Sequence, residues 1–260
     1  MDKVAFYLFG RPIHWYGIAV ASGFFLAILN WAHFTKKEGY GKQHGSDLGF
    51  WIMISSILGA RLAYVLSSWP EYVKDPMSII RIDQGGLIFY GGFIGGGVAV
   101  VVYALVKKIP MWVLGDVAVV GLVLGHGVGR IGCFMNGCCY GSECALPWAV
   151  HFPEEPAGVT RHPTQLYEAC FNFLVYGFLV WYYPRKKKHG AVVAMYLSLY
   201  PVGRFLLEIV RGDRGERLSM FGLSSAQNLS IFLFSLGMVL WFVLPNRLDR
   251  PKAEESRTPA

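Results

Sequence analysis

Seven stretches of about twenty mostly apolar residues follow one another along the chain, each long enough to cross the hydrocarbon core of a bilayer as a helix. They cover Ile13–Phe34, Leu48–Leu66, Leu87–Val106, Met111–Val128, Gln165–Tyr183, Ala191–Glu208 and Ala226–Leu244. A bilayer admits helices and closed barrels, because only these leave no backbone polar group facing lipid. The ten-residue alternation of a barrel strand is absent from the sequence. The expected fold is therefore all-α, a polytopic transmembrane helical bundle of about seven spans. Composition agrees: of 260 residues, 54% are hydrophobic and only 16% charged, against about 25% charged in a soluble domain. The second run contains Arg61, and the third is loosened by Gly91, Gly92 and Gly95-Gly96-Gly97, so these two depart most from an ordinary apolar span. Arg11, Pro12 and His14 interrupt the N-terminal stretch and no small-residue cleavage site follows, so the first run reads as a retained span. Residues 1–260 are expected to form one integral membrane domain, with 244–260 as a polar tail.

The connectors set an expected orientation. One alternating set holds Lys36, Lys37 and Lys42, then Lys107 and Lys108, then Arg185 to Lys188, then Arg247, Arg250, Lys252 and Arg257. The other set holds only Lys3 and Lys74 among its lysines. The excess of positive charge marks the cytoplasmic side, which puts the N-terminus outside and the C-terminus in the cytoplasm. The net charge of +7 then reads as topogenic charge and attraction to anionic headgroups. No basic stripe with interleaved aromatics occurs on a soluble segment, so nucleic-acid binding is not expected.

Arginine does not follow lysine. Arg11, Arg81, Arg130, Arg161, Arg204, Arg211, Arg214 and Arg217 fall on the lysine-poor side. The planar guanidinium fork pairs bidentately with phosphate, whereas an ammonium is a hydrated point charge. Snorkelling of stems at span ends accounts for Arg11 or Arg217. It accounts less well for Arg61, Arg130 and Arg204, which sit in or beside apolar sequence. An outer site for a phosphate-bearing group is the expectation.

The segment Gly125–Cys144, GHGVGRIGCFMNGCCYGSEC, gathers glycines around Arg130, Asn136 and Tyr140. Glycine permits close backbone approach, and irregular backbone at membrane depth survives only where it lines a cavity or is buried. The segment is expected to be a loop following the fourth span; helix-packing glycine is the alternative for Gly125, Gly127 and Gly129. Cys133, Cys138, Cys139 and Cys144 do not form paired CxxC knuckles, so no metal is expected. A disulfide from Cys144 to Cys138 or Cys139 is preferred on an oxidising side. His162-Pro163-Thr164-Gln165-Leu166-Tyr167-Glu168 opens the fifth span, and helix-start chemistry explains much of it. If the sixth helix continues, Arg204, Glu208 and Arg211 share one face, with a carboxylate between two guanidinium groups.

These blocks together resemble one family. His14-Trp15-Tyr16-Gly17, Gly85-Gly86-Leu87 before Gly91-Gly92, Gly129-Arg130-Ile131-Gly132-Cys133-Phe134-Met135-Asn136-Gly137, His162 to Glu168, and Arg204 to Arg211 resemble, in order and over nearly the whole chain, the prolipoprotein diacylglyceryl transferases. The resemblance implies a seven-span enzyme of the bacterial cytoplasmic (inner) membrane that needs no cofactor. It implies transfer of the diacylglyceryl group of phosphatidylglycerol to a prolipoprotein lipobox cysteine, with release of glycerol-1-phosphate. Phosphatidylglycerol, the lipobox segment and membrane lipid are the implied partners, and a monomer is expected. Carried over by motif, Arg130 is the phosphatidylglycerol-binding arginine and Arg204 the second essential arginine, with Glu208 and Arg211 alongside. Tyr16 and Asn136 are further substrate contacts.

The chain departs from the family at three positions. Tyr90 stands where many members have a histidine, and a phenol titrating near about 10 is a poor base at neutral pH. His126, one turn before Arg130, is the substitute candidate base, and Tyr90 a candidate hydrogen-bond donor to phosphate. Cys133 and Cys138 stand where many members have asparagine and glutamate. The rival classes are an anionic-solute transporter, for which internal repeats would argue and none is seen, and a non-catalytic lipid-binding subunit.

Overall fold

The structure, a computed structural model, describes residues 3–73, 75–81, 85–211 and 222–245. Lys74, Arg214, Arg217 and the tail residues Arg247, Arg250, Lys252 and Arg257 lie outside the described residues. An antiparallel hairpin of β1 (Val4–Leu8) and β2 (Arg11–His14) comes first. The helices are α1 (Trp15–Lys37), α2 (Lys42–Ser67), the short α3 (Trp69–Tyr72), α4 (Phe89–Lys107), α5 (Met111–Asn136), α6 (Thr164–Tyr182), α7 (Ala191–Leu207) and α8 (Ser225–Val243). Each apolar run of the sequence falls on one of the long helices. The fold is helical as expected, with the N-terminal hairpin as an unforeseen addition.

Among the described residues, six helices are long and apolar enough to cross a membrane: α1, α2, α4, α5, α7 with its following turn, and α8. The remaining long helix, α6, has 19 residues, but Gln165, Glu168 and Asn172 make it more polar. All three of those side chains are buried. The surface is inverted relative to a soluble protein, with Leu105 72% and Phe242 76% exposed. Apolar surface on this scale requires lipid around it. The chain is a multi-pass membrane protein.

The residues cluster into two compact units, one drawn from Met1–Ala27 and Val119–Asp249, the other, among the described residues, from Ile28–Ala118. In the second unit α2 lies against α4, and the two spans that looked weakest in sequence are both continuous helices. Their glycines are contact surface. A Cβ on Gly59 would overlap the Gly91 carbonyl, and one on Gly91 would overlap the Gly59 carbonyl, so this close crossing requires hydrogen at both positions. At one end of this unit Leu48, Tyr103, Ala104, Ile109, Val113 and Leu114 form a buried core, and His44 Nδ1 lies 2.9 Å from the Tyr103 hydroxyl. That contact brings the lysine-bearing start of α2 beside the lysine-bearing end of α4.

At the other end Arg61 is 8% exposed. Its Nε donates to the Ile79 carbonyl at 2.8 Å, Nη1 to Gly85 at 3.0 Å and Gly86 at 3.1 Å, and Nη2 to Ser78 at 2.5 Å. Tyr64 and Tyr72 present ring faces to the same guanidinium. Arg61 therefore closes the connection between α2 and α4, and its fork is occupied by backbone rather than left open to phosphate.

In the first unit, α7 packs against α6 and α8, and Gly23 of α1 meets Gly125 of α5. The Ser224–Gln227 capping box starts α8. Lys188 donates to the Trp241 and Leu244 carbonyls at the end of α8, which satisfies acceptors that a helix terminus leaves open.

Candidate active site

The segment from Gly125 to Asn136 is not a loop; it forms the last turns of α5. Its glycine density mimics irregular chain, but Gly125 is spent on approach to Gly23, and Gly132 on contact with Ala19 and Tyr16. Helical spacing then puts His126 and Arg130 on one face, one turn apart. That face meets the start of α6, where Glu168 is 4% exposed. Arg130 Nε lies 3.0 Å from Glu168 Oε2, and His126 Nε2 lies 3.3 Å from Glu168 Oε1. From α7 the Tyr200 hydroxyl donates to Glu168 Oε1 at 3.5 Å, and its ring lies 5.5 Å from the His126 ring. Asn172 Nδ2 donates to the Glu168 carbonyl at 2.8 Å, locking that turn of α6.

One turn beyond Tyr200, Arg204 Nη1 donates to Glu208 Oε2 at 2.6 Å, and Arg211 Nε lies 4.0 Å from the same oxygen. The expected continuous helical face is corrected here: α7 ends at Leu207 and Glu208–Val210 is a 3-10 turn. The carboxylate still sits between the two arginines. Arg204 is within electrostatic reach of Glu168 and Tyr200 as well. Among the described residues the cluster thus holds three arginines, Arg130, Arg204 and Arg211, and two carboxylates, Glu168 and Glu208.

The unused donors are informative. Among the described residues, Arg130 spends only its Nε on protein partners, and neither Nη has one. Arg204 spends only Nη1. Half-buried guanidinium edges of this kind are suited to a planar, multi-oxygen anion. The carboxylates orient the arginines, which lowers the cost of reorganising them when an anion arrives.

A loop runs from Gly137 to Pro163 beside this cluster. Gly141 N donates to the His162 carbonyl and Ser142 N to the Val210 carbonyl, both at 2.8 Å, tying the loop to the segment that carries Glu208 and Arg211. Arg161 Nη2 donates to Glu155 Oε2 at 2.7 Å and faces the Tyr140 ring, which stacks on Phe152 at 4.6 Å. The Arg161 and Tyr140 hydrogen bonds hold the Glu155 carboxyl below its ordinary range. The reciprocal bond to Glu155 raises both the Arg161 guanidinium and the Tyr140 phenol. In the helix-start block, Trp148 Nε1 donates to the Tyr167 hydroxyl at 2.7 Å, and His162 Nδ1 lies 3.4 Å from it.

The structure thus brings together His126, Arg130, Arg204, Glu208 and Arg211. Tyr16 packs on Gly132 and lies within electrostatic reach of Arg130. Asn136 closes α5 and is half-buried. Tyr90 belongs to the second unit, on the first turn of α4, 62% exposed and edge-on to Phe89. Sequence reasoning did not select Glu168 and Tyr200. Glu168 was signalled by being an ionisable residue inside an apolar run, but its place in a helix's first turn offered a sufficient structural explanation. Tyr200 carried no distinguishing signal. The expected disulfide is not formed: all five cysteines are free thiols.

The profile of the family described as prolipoprotein diacylglyceryl transferase matches residues 3–243. The phosphatidylglycerol–prolipoprotein diacylglyceryl transferase of Clostridium tetani is 36% identical over 244 residues, covering 93% of this chain and 97% of the relative. A protein of the same name from Clostridioides difficile is 32% identical over 255 residues, covering 98% and 100%. Agreement of this extent, spanning the charged cluster and the helices that hold it, places the chain in the prolipoprotein diacylglyceryl transferase family.

Proposed function

We propose that the chain transfers the diacylglyceryl group of phosphatidylglycerol to the lipobox cysteine thiol of a prolipoprotein, the first step of lipoprotein maturation. The observation that carries this reading is the pair of unspent guanidinium edges on Arg130 and Arg204, each held by a buried carboxylate. Family membership supplies the reaction, and the geometry fits it.

The bonds balance as follows. The acceptor sulfur attacks the glyceryl carbon that bears the phosphate ester, a C–S bond forms, and the C–O bond to phosphate breaks. Glycerol-1-phosphate leaves with the bonding pair, so negative charge grows on its phosphate. Arg130 and Arg204 stabilise that charge where it develops, and Glu208 holds Arg204 and Arg211 in place. A free thiol titrates at about 8.5 and must lose its proton. Glu168 and Arg130 fix the His126 ring through contacts at Nε2, 3.3 Å from each, and His126 takes the thiol proton. Tyr16 and Asn136 act as polar contacts to the donor lipid, and Tyr90 stands in for the family's histidine as a hydrogen-bond donor.

The proposed setting is the bacterial inner membrane, crossed seven times, with α6 as a span in addition to the other six. The N-terminus and the charged cluster are outside and the C-terminus is in the cytoplasm, and the protein works as a monomer. Incubating the purified protein with phosphatidylglycerol and a lipobox peptide tests the activity. The expected result is a peptide heavier by one diacylglyceryl group with an equal yield of glycerol phosphate. An unmodified peptide, with anion movement across vesicles carrying the protein, would establish the transporter reading instead.

A further inference from the structure

The three cysteines around the end of α5 have no part in the chemistry above. Their spacing in sequence, one cysteine, four residues, then two adjacent cysteines, matches no familiar zinc knuckle, and the reason they converge lies in how the helix ends. Gly137 takes φ +70°, its N–H donates to the Phe134 carbonyl at 3.0 Å, and the Cys138 N–H donates to the Cys133 carbonyl at 3.2 Å. This pair of bonds is the Schellman termination, in which the residue two past the cap folds back onto the residue three before it. Side chains at those two positions normally make an apolar contact; here they are Cys138 and Cys133. Cys139 then adopts φ +64°, a left-handed conformation uncommon for a non-glycine residue, and turns a third thiol back toward the other two. The three sulfur atoms all lie within 4.8 Å of one another.

The backbone carrying these thiols is clamped independently from α6. Gln165 Nε2 donates to the Cys138 carbonyl at 2.6 Å, and Thr164 Oγ1 donates to the Cys139 carbonyl at 3.0 Å. Gln165 is 1% exposed and Thr164 4% exposed. Cys133 and Cys138 are half-buried while Cys139 is exposed, so the cluster is held from behind and reachable from the front.

We propose that Cys133, Cys138 and Cys139 form a site for one soft, thiophilic cation of the zinc and cadmium class. Sulfur ligands at about 2.3 Å from a tetrahedral ion sit about 3.8 Å from one another, so closure requires movements of at most about 1 Å. Each thiol yields its proton on binding. Three protein ligands leave a fourth position for water or another oxygen donor. Buried donors that fix the ligand-bearing backbone are the supporting shell that metal sites depend on.

The test uses the full chain in detergent micelles, reduced and then freed of reductant, titrated with cadmium chloride. We expect sulfur-to-cadmium charge-transfer absorption that saturates at one ion per chain and is displaced by zinc. C144S/C170S should keep it. C139S, which alters only the exposed ligand, should weaken binding at least about 100-fold, and Gln165→Ala about 10-fold. The proposal is overturned if reduced protein with five titratable thiols gives no such absorption, or if C133S/C138S/C139S binds as the unmutated chain does. Reductant-reversible disulfide formation among the three thiols, with no metal uptake by the reduced form, would overturn it equally and make the cluster a redox pair.

Discussion

Arg61 and Arg130 pose the same problem in sequence, a permanent cation in or beside an apolar run, and the structure solves it in two ways. Arg61 gives Nε, Nη1 and Nη2 to four backbone carbonyls and covers its faces with two tyrosine rings. Arg130 gives one nitrogen to Glu168 and keeps both terminal nitrogens unspent among the described residues. A buried guanidinium with all three nitrogens engaged by backbone is a structural clasp. One whose charge is offset by a carboxylate but whose fork is open is built to receive an anion. Arg61 is buried and Arg130 half-buried, but it is the accounting of donors that assigns their roles.

The comparison is broken most severely by removing the fork at the open site. Arg130→Lys and Arg204→Lys keep the charge that Glu168 and Glu208 require but lose planar pairing. Transfer should fall by about 100- to 1000-fold, the usual cost of one transition-state donor, while the thermal midpoint in micelles stays near that of the unmutated protein. His126→Gln should lower transfer by about 100-fold, the low end for a general base, because the thiol is partly ionised near neutrality. Transfer by that variant should recover as pH rises through the thiol's own titration; a flat pH profile would remove His126 as the proton acceptor.

Arg61→Lys sharpens the other side. An ammonium cannot span the four carbonyls, and each acceptor left without a donor costs about 1–3 kcal/mol. The midpoint of unfolding should drop measurably, while transfer per folded molecule is unchanged. The smallest effect is expected at the Glu155–Arg161 pair in the loop. Glu155 is held below its ordinary range, so its contribution is present at neutral pH and is lost as pH falls through the depressed value. Proteolytic nicking within 137–163 should therefore be slightly faster for Glu155→Gln than for the unmutated chain at pH 7, and the difference should vanish in acid.

Much of this was legible before any coordinates. Helix positions followed from the apolar runs, because a bilayer leaves the backbone so few choices. Arg130, Arg204, Glu208 and Arg211 stand out as charge in or beside such runs. What could not be read was tertiary pairing: Glu168 is contributed by α6, and only packing of α5 on α6 makes it the partner of His126 and Arg130. The glycines of GHGVGRIG suggested loop because glycine density signals irregular chain in water, whereas in this bundle Gly125 and Gly132 serve close contact between helices. The Val4–His14 hairpin was hidden by two short strands of 5 and 4 residues with no clear alternation of burial. Sequence groups Arg61 with the phosphate-binding arginines because it reveals a charge in an apolar run but not where its donors go.

The most direct measurement is diacylglyceryl transfer from phosphatidylglycerol to a lipobox peptide, run side by side for Arg130→Lys and Arg61→Lys at equal concentrations of folded protein. The account predicts a loss of at least about 100-fold for Arg130→Lys and an unchanged rate for Arg61→Lys. Near-normal transfer by Arg130→Lys, together with abolished transfer by a fully folded Arg61→Lys, would contradict it.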